Sequence, residues 1–244
     1  MAIDANTLYE VIDGTWPAAK YHKLGVWTIR EGQGGGQRVS AATLVEDACT
    51  PSDISVAETA MQNLDQPRLF MVREQDEDLD AMLAERGYLI VDPVNLYVAP
   101  VGPIAEREIP RVCAFTVWEP LAMQIDIWAE AGIGSGRVAV MHRAKGAKTS
   151  VLGRLNDHPA GTAFVAIHNR IAMVHALEIL PHQRKQGMGG HAMRQAAFWA
   201  RENGATHISL VVTVANVGGN ALYSSLGMQN IGRYHYRKHP EDMK

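Results

Sequence analysis

One stretch of this chain constrains its fold more than any other. Val174-His175-Ala176-Leu177-Glu178-Ile179-Leu180 has strand character, and it leads through Pro181-His182-Gln183-Arg184-Lys185-Gln186 into Gly187-Met188-Gly189-Gly190-His191-Ala192, where a long helical pattern begins. Backbone N–H groups at a helix N-terminus are unpaired and carry positive partial charge, and glycines let an anion approach them closely. Arg184 and Lys185 add full charge. The segment is built as a pyrophosphate cradle between a strand and a helix.

Two common nucleotide motifs do not fit it. A Walker loop ends in Gly-Lys-Ser/Thr, whereas Gly190-His191-Ala192 has neither the lysine nor the hydroxyl. Gly187-x-Gly189-x-x-Ala192 matches a Rossmann fingerprint in letters, but there the first glycine follows the strand directly and an acidic residue ends the next strand. Here 181–186 intervene, and 207–217 contain no acidic residue.

The surroundings read as α/β throughout. In the second half, strands are expected at 149–155, 162–168 and 171–180 and again at 207–214, with helices at 121–131, 188–203 and 220–226 and a last strand after Gly227. Met193, Ala196, Ala197 and Ala200 give the long helix one apolar side. In the first half, 25–30 and 38–44 flank the cluster Gly32 to Gly36 as a hairpin would, and Pro51-Ser52-Asp53 opens a helix whose apolar face carries Ile54, Val56, Ala57, Ala60, Met61 and Leu64. A strand at 68–72, a helix at 78–86 stopped by Gly87 and a strand at 88–101 complete the order β-β-α-β-α-β. Three prolines and a glycine in 100–110 place the domain boundary, giving domains 1–105 and 106–244. The segments 81–88 and 221–228 share Ala and Gly at identical spacing, which reads either as a duplicated unit or as two ordinary helix ends. Leu83 is then the counterpart of Tyr223.

Composition removes several classes of function. With 47% hydrophobic and 20% charged residues the chain is globular, and a net charge of −3 supplies no global basic field for nucleic acid. No run approaches the roughly 20 apolar residues of a membrane span. The cysteines are Cys49 and Cys113, and the chain opens Met1-Ala2-Ile3-Asp4 without leader character, so a cytoplasmic location with reduced thiols is expected. The histidines at 168, 182, 191, 235 and 239 lack partners at metal-ligand spacing, and no metal is expected. Gly34-Gly35-Gly36 with Arg30 and Arg38 reads as a flexible hairpin loop more readily than as an anion nest.

Arg184-x-x-Gly187-x-Gly189, after an apolar strand and before a long helix, closely resembles the acyl-CoA-binding motif of the GNAT family of N-acetyltransferases. Downstream, 216–228 resembles the family pattern N-x-x-A-x-x-L-Y-x-x-L-G-F, with Gly219 for Ala and Met228 for Phe. The resemblance covers about 148–236, and the first half is at most a degenerate GNAT lobe. It implies an α/β fold of two GNAT-like units, each a mixed, mostly antiparallel sheet flanked by helices. It also implies direct transfer of an acetyl group from acetyl-CoA, as co-substrate, to a small-molecule or peptide amine.

The same resemblance assigns site residues. Arg184, Lys185, Gln186, Gly187, Met188, Gly189 and Gly190 would hold the pyrophosphate. The strand at Leu177 and Ile179 would pair through its backbone with the pantetheine arm, alongside Asn216 and Tyr223. Tyr223 matches the tyrosine that protonates the departing thiolate, and a phenol is a neutral donor at pH 7. A tyrosine packing helix on sheet is the plainer alternative. Two candidate bases, His175 and Glu178, share a strand on which alternation puts them on opposite faces. His175-Ala176-Leu177 is similar to the serotonin-acetylating branch of the family, where this strand's histidines help remove the amine proton, although Met173 stands where that branch has a second histidine. His175 also reads as a structural histidine and Glu178 as a sheet-capping carboxylate. The alternative function is a non-catalytic acyl-CoA sensor or scaffold.

Overall fold

The computed structural model of the protein describes residues 3–243. Met1 and Ala2, part of the opening read above for leader character, lie outside the described residues. In chain order the elements begin α1 (Ala5–Thr15), β1 (Lys20–Leu24), β2 (Trp27–Glu31), β3 (Thr43–Leu44), α2 (Pro51–Asn63), β4 (Leu69–Arg73), α3 (Glu77–Glu85) and β5 (Leu89–Pro100). They continue as α4 (Val101–Ala105), β6 (Ala114–Val117), α5 (Ala122–Glu130), α6 (Ser135–Arg143), β7 (Lys148–Leu155), β8 (His158–His168) and β9 (Ile171–Ile179). The last are α7 (Met188–Glu202), β10 (His207–Thr213), α8 (Val217–Ser225) and β11 (Gln229–Lys238). The sequence pattern missed α1, β1, α4, β6 and α6. β1 is exposed along its whole length, so it carries no alternation to read.

The chain divides into two compact units, but not by a single cut. The first holds the residues through Pro17 together with 96–212 and 216–231; the second holds 18–95, 213–215 and the residues from Gly232 onward. The boundary expected between 105 and 106 is thereby corrected. Its physical basis is strand pairing: β5 passes from one unit to the other at Asn95/Leu96 and β11 at Ile231/Gly232, so each unit takes its last strand from the other half of the sequence. The proline-rich stretch is also no linker. Val101, Ile104 and Ala105 of α4 are buried in the core that includes α7.

Each unit by itself has the same plan. In the first, β6 to β9 form an antiparallel meander, α7 crosses over, and β10 lies parallel to β9 with β5 beyond it. In the second, β1 to β3 form the meander, α2 crosses over, and a parallel bridge from Ala42 to Phe70 joins β4, which pairs antiparallel with β11. The echo between 81–88 and 221–228 falls at equivalent places in this plan. α3 and α8 both end at a left-handed glycine, Gly87 at φ 80° and Gly227 at φ 78°, and both lead into a long strand.

Packing follows the apolar spacing. Met188, Ala192, Met193, Ala196, Ala197 and Ala200 form the buried stripe of α7 and meet Val151, Ala163, Val165, Ala172, Val174 and Ile208 of the sheet. Four alanines in that stripe let the helix axis lie close to the strands. α1 covers the opposite side of β8 and β9 with Leu8, Val11 and Ile12. Its Gly14 sits so near His168 that a Cβ would fall 2.3 Å from the ring. In the second unit Trp27, Phe70 and Tyr88 pack edge to face, and the indole Nε1 of Trp27 donates to the carbonyl of Asp53. α2 there starts with a reciprocal cap between Thr50 and Asp53.

Candidate active site

The site begins with an irregularity in β9. Phe164 of β8 pairs with His175 and Thr162 pairs with Glu178, so two residues of β9 oppose Ala163 alone. Ala176, at φ 50°, absorbs the extra length, and the Trp128 indole fixes it by donating to the Ala176 carbonyl at 2.8 Å. The bulge overturns the expectation that His175 and Glu178 point to opposite faces. Phe164 and Thr162 lie two apart on one face, and their partners His175 and Glu178 share it. Leu177 and Ile179 are correspondingly turned to the α7 side.

Beyond the bulge the two parallel strands part. Their ladder runs from Ile171–His207 to Val174–Leu210 and stops, while β9 continues to Ile179 and β10 to Thr213. A cleft of about 590 Å³ opens there. Leu177, Glu178 and Ile179 form one wall, Asn216, Gly218, Gly219, Leu222 and Tyr223 the other, and Gln183, Arg184, Lys185 and Gly187 to Gly190 close one end. The closing turn is a single 3-10 turn at Pro181–Gln183, then Lys185 at φ 61° and Gly187 at φ 85°, which caps α7 without any side chain. The first N–H groups of α7 are therefore not taken by a cap. Arg184 lies across the opening and donates from Nε to the Ile179 carbonyl at 3.0 Å.

The glycines of this end have different causes. Gly187 needs its left-handed backbone. Gly189 is required by close approach, since a Cβ there would lie 2.9 Å from Cδ2 of Leu222 on α8. Gly219, the departure from the family pattern, is filled by its neighbour: Oδ1 of Asn216 accepts the Gly219 N–H at 2.8 Å, and a Cβ would crowd that side chain. Asn216 thus caps α8 as well as lining the cleft.

Tyr223 is buried, and its ring centre lies 5.9 Å from that of Tyr97. Tyr97 donates to Oδ1 of Asn220, whose amide donates to the Asn216 carbonyl. Burial, with the negative charge of Glu178 adding to it, pushes the Tyr223 phenol up to about 12, which keeps it a proton donor at neutral pH. Burial also raises the Glu178 carboxyl above its ordinary value, against the opposing pull of Arg184 and Arg137.

His175 does not reach the cleft. It is 4% exposed, lies 4.9 Å from the Trp16 ring and 6.1 Å from Phe164, and its Nε2 is 2.9 Å from Oγ1 of Thr15. The Thr15 hydroxyl donates its one proton to the Val11 carbonyl at 2.6 Å, so Nε2 is the donor to Thr15. Its place under α1 makes it a packing residue. Gln186 also stands apart, exposed, with its amide donating to the His182 carbonyl. Residues not assigned to the site from the sequence line the cleft or its support: buried Gln183, Gly218, Leu222 (a position of the family pattern), Tyr97 and the Trp128 that pins the bulge. The spacing around Asn216 pointed at Leu222; nothing in the sequence marks the bulge. Among the described residues no group of three His, Cys, Asp or Glu side chains is arranged to hold a metal.

The Acetyltransferase (GNAT) family matches residues 107–228, half the chain and the whole of the cleft. The chain belongs to the GNAT family. It is 24% identical to an uncharacterized N-acetyltransferase, YobR, of Bacillus subtilis (strain 168), over 96% of this chain and 98% of that protein. A GCN5-related N-acetyltransferase from Kribbella flavida has the same fold at a TM-score of 0.75, with 22% identity over 98% of this chain and 96% of its own. A tandem GNAT protein from the clavulanic acid biosynthesis pathway superposes at 0.61, with 12% identity over 96% of this chain and 87% of its own. The two-unit α/β GNAT architecture expected from the motifs is the one found.

Two variants separate the packing residue from the cleft carboxylate. His175→Ala opens a cavity between Trp16 and Phe164 and is expected to cost about 2–4 kcal/mol in denaturant unfolding; an unchanged midpoint would contradict the packing role. Glu178 binds its proton more tightly folded than unfolded, so it is a stability cost that grows as pH rises from the ordinary carboxylate range through its raised value. Glu178→Gln should therefore raise the melting temperature at pH 7, with the gain shrinking as the pH is lowered to about 4. A lowered melting temperature at pH 7 would contradict it.

Proposed function

We propose that the protein is an N-acyltransferase that moves an acetyl group from acetyl-CoA directly to an amine. The observation that carries this reading is the coincidence, in one cleft, of an uncapped glycine-rich helix start, the free edge of β9, a neutral phenol and a carboxylate with raised proton affinity. The fit to the coenzyme rests on the chain's own features. The N–H groups of Met188, Gly189 and Gly190, with Arg184 and Lys185, suit a pyrophosphate, and the absent Cβ at Gly189 keeps that floor low. Leu177 and Ile179 offer backbone groups, and Asn216 and Leu222 form the facing wall.

Bound coenzyme supplies the acetyl thioester and its thiolate leaving group. Glu178, alone among the two candidate bases in facing the cleft, takes the proton from the ammonium of the acceptor, directly or through water. The amine nitrogen then bonds to the acetyl carbon, the carbon–sulfur bond breaks, and Tyr223 gives its proton to the sulfur and regains one from the proton released by nitrogen. The balance is one ammonium and one thioester to one amide, one thiol and one proton. The raised phenol is a weaker acid than an ordinary thiol, so its proton moves to the sulfur only as the carbon–sulfur bond breaks and the proton released by nitrogen replaces it. The acceptor class is a small-molecule or peptide amine. The free thiols of Cys49 and Cys113 suit a reducing cytoplasm.

Tyr223→Phe is the direct test. Turnover followed by thiol release should fall by about a hundredfold, in line with loss of a general acid, while coenzyme affinity stays within about twofold. Unchanged turnover would remove the phenol from the mechanism, and binding without turnover in the parent protein would favour the sensor.

A further inference from the structure

A second, smaller pocket adjoins the cleft and points to the kind of amine that enters it. It has a volume of about 110 Å³ and lies between the end of α5 and the end of β9, and it shares Glu178, Ile179 and Arg184 with the cleft. Ile127, Ala131, Leu180 and Pro181 make its apolar walls, and Glu130 stands exposed at its edge. We infer that this pocket is the acceptor site and that it takes an unbranched aminoalkyl chain bearing a second cationic group. The inference rests on the acyltransferase reading and adds the substrate class to it.

Three sources of negative potential meet there. The negative end of the α5 dipole points there, its last carbonyls accepting from the N–H groups of Ala131, Gly132 and Ile133, and such an end is a place where a cation is stabilising and an acid is not. α5 nevertheless ends on Glu130, with no basic residue in its last turn. Glu130 makes no ion pair among the described residues, and neither does Glu178. The cations facing this region are Arg184, turned to the Ile179 carbonyl, and Arg137, which acts on Glu178 from beyond ion-pair distance. A local arrangement that costs stability without a compensating contact marks a binding function more often than a packing one.

Size and position set the rest. An apolar cavity of about 150 Å³ accepts a benzene ring, and on that scale this pocket holds roughly four or five non-hydrogen atoms. A four-carbon stem fills it, which leaves the reacting nitrogen at Glu178, on the border of the cleft, and the far group at Glu130 on the exposed edge. A carboxylate at the far end would face Glu130 and the negative end of α5. The bonds made and broken are those already described; the pocket adds the orientation of the nitrogen.

The experiment compares putrescine, γ-aminobutyrate and n-butylamine as acceptors with acetyl-CoA by thiol release, in the parent protein and in Glu130→Gln and Glu130→Lys. Counting each favourable or unfavourable charge contact as about tenfold, kcat/KM should rank putrescine about tenfold above butylamine and about a hundredfold above γ-aminobutyrate. Glu130→Gln should bring the ratio of putrescine to butylamine close to one through KM, and Glu130→Lys should favour γ-aminobutyrate over putrescine. Equal use of the three, a ratio that Glu130 variants leave unchanged, or coenzyme binding with no turnover of putrescine would overturn the inference and leave the coenzyme reading standing. Absence of calorimetric acetyl-CoA binding to the same preparation would instead overturn the acyltransferase reading, and this inference with it.

Discussion

The parting of two parallel strands is the constraint on which the site depends. Backbone N–H and C=O groups must find partners, so a strand that leaves its neighbour while both continue creates a demand for hydrogen bonds at a defined place. Here the demand falls on β9 after Val174. The departure is built into the strand by the bulge at Ala176, held by the indole of Trp128, which is itself fully buried. That one contact determines which side chains of β9 face α7 and which face α5. Without it Glu178 would lie on the far side of the sheet from where the structure places it.

The two acid–base groups of the cleft are linked through the same geometry. Burial raises both, and the charge of Glu178 raises the phenol of Tyr223 further, so the ionised carboxylate helps to keep the phenol protonated. Arg184 and Lys185 stand at the closing end of the cleft, and Arg184 also lines the smaller pocket that Glu130 and Glu178 share.

Much of this was legible in the residues because it is encoded locally. The Gly187 turn and the alanine stripe of α7 depend on neighbours within a few residues and show in the spacing, whereas Asn216 and Tyr223 stand out through the resemblance to the family pattern, and the capping of α8 by Asn216 shows only in the structure. What was not legible depends on distant pairing. The Ala176 bulge is created by β8 and by Trp128 on α5, so simple alternation put His175 and Glu178 on opposite faces and left His175 a candidate base. The strand exchange of β5 and β11 likewise leaves no mark in composition, and the prolines of 100–110 suggested a linker where α4 is core. Gly189 was read as a phosphate contact, while the structure also gives it a packing cause in Leu222.

The central claim is that the opening between β9 and β10 is a coenzyme site. Calorimetric titration with acetyl-CoA tests it most directly, with the Arg184→Ala, Gly189→Asp double variant as the control, since that variant removes a cation and puts a carboxylate on the helix start. The account predicts saturable binding at one site in the parent protein and none in the variant. Absence of binding at millimolar coenzyme, or equal binding to both proteins, would contradict it.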